Sequence, residues 1–141
     1  MKAITIYQPF ASLIAQGFKR YETRGWRTNY RGPIAIHAGK QIDHQTVLIL
    51  AKDYTKTWHQ ISPLSTGCVI AIAELVDCWK VLDNHLLEAQ PPNEKRVKFL
   101  NMRELPFGDY TPGRYAWELA NVCRIEPVPV KGQQGLWNWE A

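Results

Sequence analysis

Apolar and polar positions along this chain fall into short runs separated by turn residues. Residues 3–7, AITIY, are mostly β-branched or aromatic and stop at Gln8-Pro9, which predicts a first strand ended by proline. A helix of about two turns is expected next, because Pro9 suits a first helical turn and Phe10, Leu13 and Ile14 recur at helical spacing. Gly17 stands where a left-handed cap would close it. Residues 19–27 alternate, which as a strand would put Glu22, Arg24 and Trp26 on one face. The turn Tyr30-Arg31-Gly32-Pro33 then leads into a short strand at 34–38, where His37 faces opposite Ile34 and Ile36.

Residues 43–54 carry Val47, Leu48, Leu50 and Ala51 in helical register, with Asp43 as N-cap, and 55–67 read as a loop. The strongest strand pattern is 68–82, continuous and apolar except at Glu74 and Asp77. Residues 84–108 read as a polar connecting excursion, with a helix around Arg96, Val97, Phe99, Leu100 and Met102. Residues 114–124 and the Pro127-Val-Pro-Val stretch predict one or two closing strands, after which Trp137 and Trp139 return to pack on the sheet. Short strands with two or three inserted helices predict an α+β fold, a small β-barrel or strongly curved sheet decorated by helices.

Composition narrows the class. A chain of 141 residues with 45% hydrophobic residues suits one domain spanning 1–141 with a real core. A net charge of +4 suits a polyanionic partner and many ordinary proteins alike. Cys68, Cys78 and Cys123 have neither CxxC nor Cys/His spacing, so three buried, reduced thiols are expected, with no disulfide framework. His44, His59 and His85 show no ligand spacing with His37, so no metal and no cofactor are expected. The opening apolar run is too short for a signal peptide and no stretch has the length of a membrane span, which predicts a cytoplasmic protein without membrane contact.

The chemistry is concentrated early in the chain. Lys19, Arg20, Arg24, Arg27, Arg31 and, just beyond, Lys40 supply cations for phosphate oxygens, while Tyr21, Trp26 and Tyr30 supply flat faces for a base. Each of these residues taken singly is equally an ordinary sheet-face or solvated side chain. Glu22, alone among the cations, is either an ion-pair partner or a working acid/base. Glu74 has apolar neighbours that would make an unpaired carboxylate costly, so it either pairs with Arg24 or Lys19 or works chemically. His37 is either a satisfied strand residue or a group that orients substrate or shuttles protons.

Gln8-Pro9, Gly17-x-Lys19-x-x-Glu22-x-Arg24, Trp26, Arg31-Gly32, Ile36-His37-Ala38, the strand at 67–78 and Arg114-Tyr115-Ala116-Trp117 together resemble the ASCH domain family of the PUA-like superfamily. The resemblance runs through nearly the whole chain. It implies a barrel of about six strands with a helix after the first, used to bind RNA or modified nucleotides. Some small bacterial members hydrolyse the acetyl amide of N-acetylated cytidine, another is credited with RNA cleavage, and eukaryotic members are fused to transcription and repair factors. In the amidohydrolases a Lys, a Thr three residues on and a later Glu form the catalytic set, and the matching positions here are Lys19, Glu22 and Glu74. Glu therefore replaces the nucleophilic Thr, and Thr23 would point to the opposite face of a strand.

Two functions follow as expectations. The first is binding of RNA, single-stranded nucleic acid or a modified nucleoside in a basic, aromatic-lined groove, by a monomer or weak dimer. Its ligand-facing residues would be Gln8, Arg24, Trp26, Tyr30, Arg31, His37, Lys40 and Trp117, with Lys19 beside them. The alternative is a small amidohydrolase or ribonuclease with Lys19, Glu22 and Glu74 as catalytic groups.

Overall fold

In the computed structural model, residues 1–84, 87–92 and 96–140 are described. The apolar runs become strands β1 (Lys2–Gln8), β2 (Tyr21–Arg24), β3 (Gly32–Ile42), β4 (Cys68–Asp83), β5 (Glu88–Gln90), β6 (Lys98–Phe99), β7 (Tyr115–Pro129) and β8 (Leu136–Asn138). Helices α1 (Phe10–Ala15), α2 (His44–Asp53) and α3 (Thr55–Ile61) and a 3-10 helix at Met102–Phe107 accompany them. The fold is mixed α+β, as expected. Hydrogen-bonded strands follow the path β2-β7-β4-β3-β1-β8, with β5 beside β4 and β6 beside β5. No pairing among the described residues joins β2 to β8, so the expected six-stranded barrel is corrected to an eight-stranded sheet of open strand order. Strands β5 and β6 are three and two residues long, too short for a periodic signal, and closure depends on pairings remote in sequence.

The chain divides into two compact units. The first comprises Met1–Phe18, Pro33–Ala73 and Asn121–Ala141. There β1 runs parallel to β3, with Ala3 opposite Ala35 and Thr5 opposite His37, and antiparallel to β8, with Ala3 opposite Trp137. Residues 34–39 are all buried, which is why that stretch reads as a continuous apolar run rather than an alternating one. Trp137 and Trp139 close this core on Ala3, Ala35 and Val69, as the two-indole tail predicts.

Helix α1 has no side-chain cap from Pro9. Gln8, wholly buried, supplies one instead: its Oε1 accepts from the Ser12 amide at 3.0 Å, while its Nε2 donates to Ser12 Oγ at 2.8 Å and the Ser65 carbonyl at 2.7 Å. The helix ends in a Schellman turn, with Phe18 N–H on Leu13 O, Gly17 N–H on Ile14 O, and Gly17 at φ +83°. Asp43 caps α2 through Thr46 N–H at 3.1 Å. The loop expected at 55–67 is corrected, since its first half is α3, which packs on α2. Only Ile61 of α3 is buried, so the segment carries no apolar period to read.

The second unit comprises Lys19–Gly32 and Glu74–Ala120. Here β2 pairs antiparallel with β7, Glu22 opposite Trp117 and Arg24 opposite Tyr115, and β5 pairs with the end of β4. Its core gathers Tyr21, Trp79, Val81, Leu87, Ala89, Leu100, Tyr110 and Ala116. The strand expected over 19–27 is only β2, and Trp26 lies beyond it. The helix expected around 96–102 is replaced by β6 and the 3-10 helix, whose cap Asn101 accepts from Arg103 N–H at 3.0 Å. His85 lies outside the described residues.

All three cysteines are free; Cys68 and Cys78 are buried as expected, whereas Cys123 is exposed. Among the described residues no helix is long and apolar enough to cross a membrane.

Candidate functional site

The second unit holds most of the basic-aromatic cluster. Lys19 enters it just before β2 and is only 1% exposed, although four methylenes normally let lysine reach water. Its ammonium donates to the Phe107 carbonyl and lies 4.0 Å from Glu22 Oε1. Glycine at 108 permits this approach, because a Cβ there would stand 3.3 Å from Lys19 Nζ and 2.9 Å from the Tyr110 ring. Burial holds the Lys19 pKa below the ordinary lysine value, while Glu22 and Glu104 act in the opposite direction.

Glu22 and Arg24 share a face of β2, as the alternation predicts, and Arg24 grips Glu22 Oε2 from Nε at 3.0 Å and from its terminal NH2 at 2.9 Å. Glu104, on the 3-10 helix and 3% exposed, accepts from the Arg20 amide at 3.1 and 3.2 Å and from the Tyr21 amide at 3.3 Å. Burial raises its pKa above the usual carboxylate range, against the pull of those amides and of Lys19. The Tyr110 phenol beside it is pushed up by burial and by the Glu104 charge.

Glu74 does not join this group. It alternates onto the exposed face of β4 and makes no ion pair among the described residues, so its predicted burial and its pairing with Arg24 or Lys19 are corrected. The second buried carboxylate of Lys19's surroundings, besides Glu22, is Glu104, which sequence reasoning missed because it sits in the polar excursion, 85 positions from Lys19 along the chain. Asp77, the other acid of the apolar run, is explained by Arg31 at 3.5 Å and Arg96 at 3.1 Å.

The aromatic residues divide by exposure. Trp26 is 41% exposed, whereas Trp117 is fully buried and braces it edge-on at 4.8 Å, its indole N–H donating to the Trp26 carbonyl at 3.3 Å. Trp117 is thus a support, not the groove wall it was expected to be. Arg31 is committed to the Thr28 and Tyr30 carbonyls at 3.0 and 2.8 Å as well as to Asp77, and the Tyr30 hydroxyl lies over Gly32. Arg27 is exposed and in no ion pair among the described residues. With Lys80, Tyr115, Gln90 and the Pro91-Pro92 pair it lines a cleft of about 330 Å³ that no carboxylate borders among the described residues. Lys80 and Tyr115 were not singled out as ligand residues from the sequence; their signal is strand alternation beside an already basic segment.

Gln8, His37 and Lys40 belong to the first unit. Gln8 is an internal cap, and His37 Nε2 donates to the Val130 carbonyl at 2.7 Å, while Lys40 is exposed. Among the described residues no group of three His, Cys, Asp or Glu is placed to hold a metal ion.

A family model described as the ASCH domain matches residues 4–129. The chain belongs to the ASCH domain family. This ASCH chain is similar to Activating signal cointegrator 1 of Mus musculus, 35% identical over 80 residues that make up 53% of this chain and 14% of that protein. The Homo sapiens protein of the same name is 34% identical over 80 residues, with the same 53% and 14% shares. The ASCH chain therefore spans only a small part of the length of these relatives. Within the ASCH match lie both the Lys19–Glu22–Arg24 group and the Arg27–Lys80–Tyr115 cleft.

Proposed function

We propose that this chain binds single-stranded RNA or a nucleotide on its second unit, with Trp26 stacking on a base and Arg27 and Lys80 holding phosphate oxygens. The observation that carries this reading is the cleft of Arg27, Lys80 and Tyr115, which no carboxylate borders among the described residues and which begins one residue after the exposed, braced indole of Trp26. An indole held from beneath loses little freedom when a base stacks on it, and unneutralised cations beside it suit a phosphate backbone. Beside this site Glu22 anchors Arg24, with Lys19 against Glu22 from the inside. The RNA association implied by the ASCH resemblance agrees with it. The test is fluorescence titration with a short single-stranded RNA at several salt concentrations. Affinity falling with salt and dropping in Trp26→Ala supports the reading; binding indifferent to both overturns it.

A second reading, hydrolysis of a modified nucleoside or of RNA, is favoured by one observation: a buried lysine between two buried carboxylates is costly unless it has a purpose. In it Lys19 stabilises developing negative charge, Glu22 positions and deprotonates the attacking water, and Glu104, whose pKa burial raises, passes a proton to the leaving group. Chromatography after incubation with N-acetylated cytidine decides it. Turnover lost in Lys19→Ala and Glu104→Gln but kept in Glu74→Ala supports this reading, and intact substrate with the wild-type chain refutes it.

A further inference from the structure

The first unit has a cleft of its own, about 900 Å³, floored by Thr5 and His37 and walled by residues 129–134 with Lys40 and Gly67. Four of its polar side chains are uncommitted: among the described residues Lys40, Lys131, Gln133 and Gln134 make no hydrogen bond or ion pair, and no carboxylate lines the cleft. The stem of Lys40 lies against the Gly67 α-carbon, where an added Cβ would stand 3.6 Å from Cε.

The wall is pinned at Val130, whose amide donates to Gly67 O at 3.1 Å and whose carbonyl accepts from His37 Nε2 at 2.7 Å. That bond places the proton on Nε2 and leaves Nδ1 an acceptor. His37 is 2% exposed, and among the described residues Nδ1 has no hydrogen-bond partner. Gly132 lies directly on this floor: a Cβ there would come within 2.7 Å of His37 Cε1 and of Thr5 Oγ1.

We propose that this cleft binds a phosphate monoester, a terminal phosphate carried on a compact hydroxylated body. Two ammonium groups with no arginine and no acid suit a compact dianion better than a planar carboxylate, which pairs best with a guanidinium fork. A phosphate monoester carries a charge of about −1.5 to −2 at neutral pH. An internal phosphodiester carries about half that charge and leaves one lysine without an equivalent partner. The glutamine amides of Gln133 and Gln134 meet the hydroxyls of the body. Such a phosphate occurs on free sugar phosphates and on the 5′ end of a nucleic-acid strand.

Calorimetric titration of the whole chain tests this with ribose 5-phosphate, ribose, and a short RNA with and without a 5′-phosphate. Ribose 5-phosphate binding that ribose does not match, weakened at least tenfold in Lys40→Ala/Lys131→Ala and retained in Trp26→Ala, supports a free phosphate ester as the ligand. If instead the 5′-phosphorylated RNA alone loses its advantage over the 5′-hydroxyl RNA in the double variant, a strand end is the ligand. Both lysines are exposed, so an unchanged melting temperature separates lost binding from lost folding. Phosphate-bearing probes that bind wild type and double variant equally, or no better than their phosphate-free counterparts, overturn the proposal.

Discussion

Lys19 shows how one residue can be legible as a motif position and opaque in its environment. The sequence places it among cations with Glu22 three residues on, but its enclosure is made by Phe107, Gly108 and Glu104, far along the chain. Lys19→Met should destabilise by about 3–5 kcal/mol, because Glu22 and Glu104 lose their buried counter-charge. The deficit should shrink as pH falls. Glu104 already sits above its ordinary range, so the folded state holds its proton more tightly than the unfolded chain, and stability is lost as pH rises through the folded pKa. Removing the ammonium raises that pKa further. Urea unfolding of wild type and Lys19→Met at pH 5 and pH 8 should show the larger difference at pH 8. The two tryptophans separate in the same way: Trp117→Ala should cost about 3–5 kcal/mol of stability, read from melting. Trp26→Ala should leave the fold largely intact yet weaken RNA binding by about 1–3 kcal/mol, read by titration.

Elements were legible where the pattern is long or the cap is local. β1, α1, α2 and β4 follow from apolar runs, Pro9, Gly17 and Asp43, all within one or two turns of what they control. α3, β5 and β6 were not, since each draws its order from packing or pairing with a neighbour rather than from its own period. The caps predict measurable costs. Asp43→Ala should lower stability by about 1 kcal/mol through loss of the Thr46 amide bond. Gln8→Leu should cost more, about 1–3 kcal/mol, by leaving the buried Ser12 amide and Ser65 carbonyl without partners. Chemical denaturation of the two variants beside wild type checks the order.

For the whole molecule, a modest positive charge becomes informative only through its distribution. Among the described residues the cations divide between those tied to acids, such as Arg24 on Glu22 and Arg96 on Asp77, and those lining clefts without an acid, Arg27 and Lys80 in one unit and Lys40 and Lys131 in the other. Salt dependence of RNA binding reports the second kind. Each of Arg27→Ala and Lys80→Ala should reduce the slope of log K against log salt by about 0.7, the value for one phosphate contact on a single strand. A slope unchanged in both variants would place the phosphates elsewhere.

The order of motifs and the local periodicities by themselves determined the ASCH family, the α+β class and the segment that carries the charged and aromatic groups. These depend on residue type and on spacing along the chain, which the sequence states directly. Tertiary structure alone decided that Glu104 rather than Glu74 shares Lys19's surroundings, that Trp117 supports Trp26, and that Arg31 is tied to Asp77 while Arg27 and Lys80 line a cleft. Burial and ion pairing arise between groups tens of residues apart, so their outcome is set by which strand and turn each group meets.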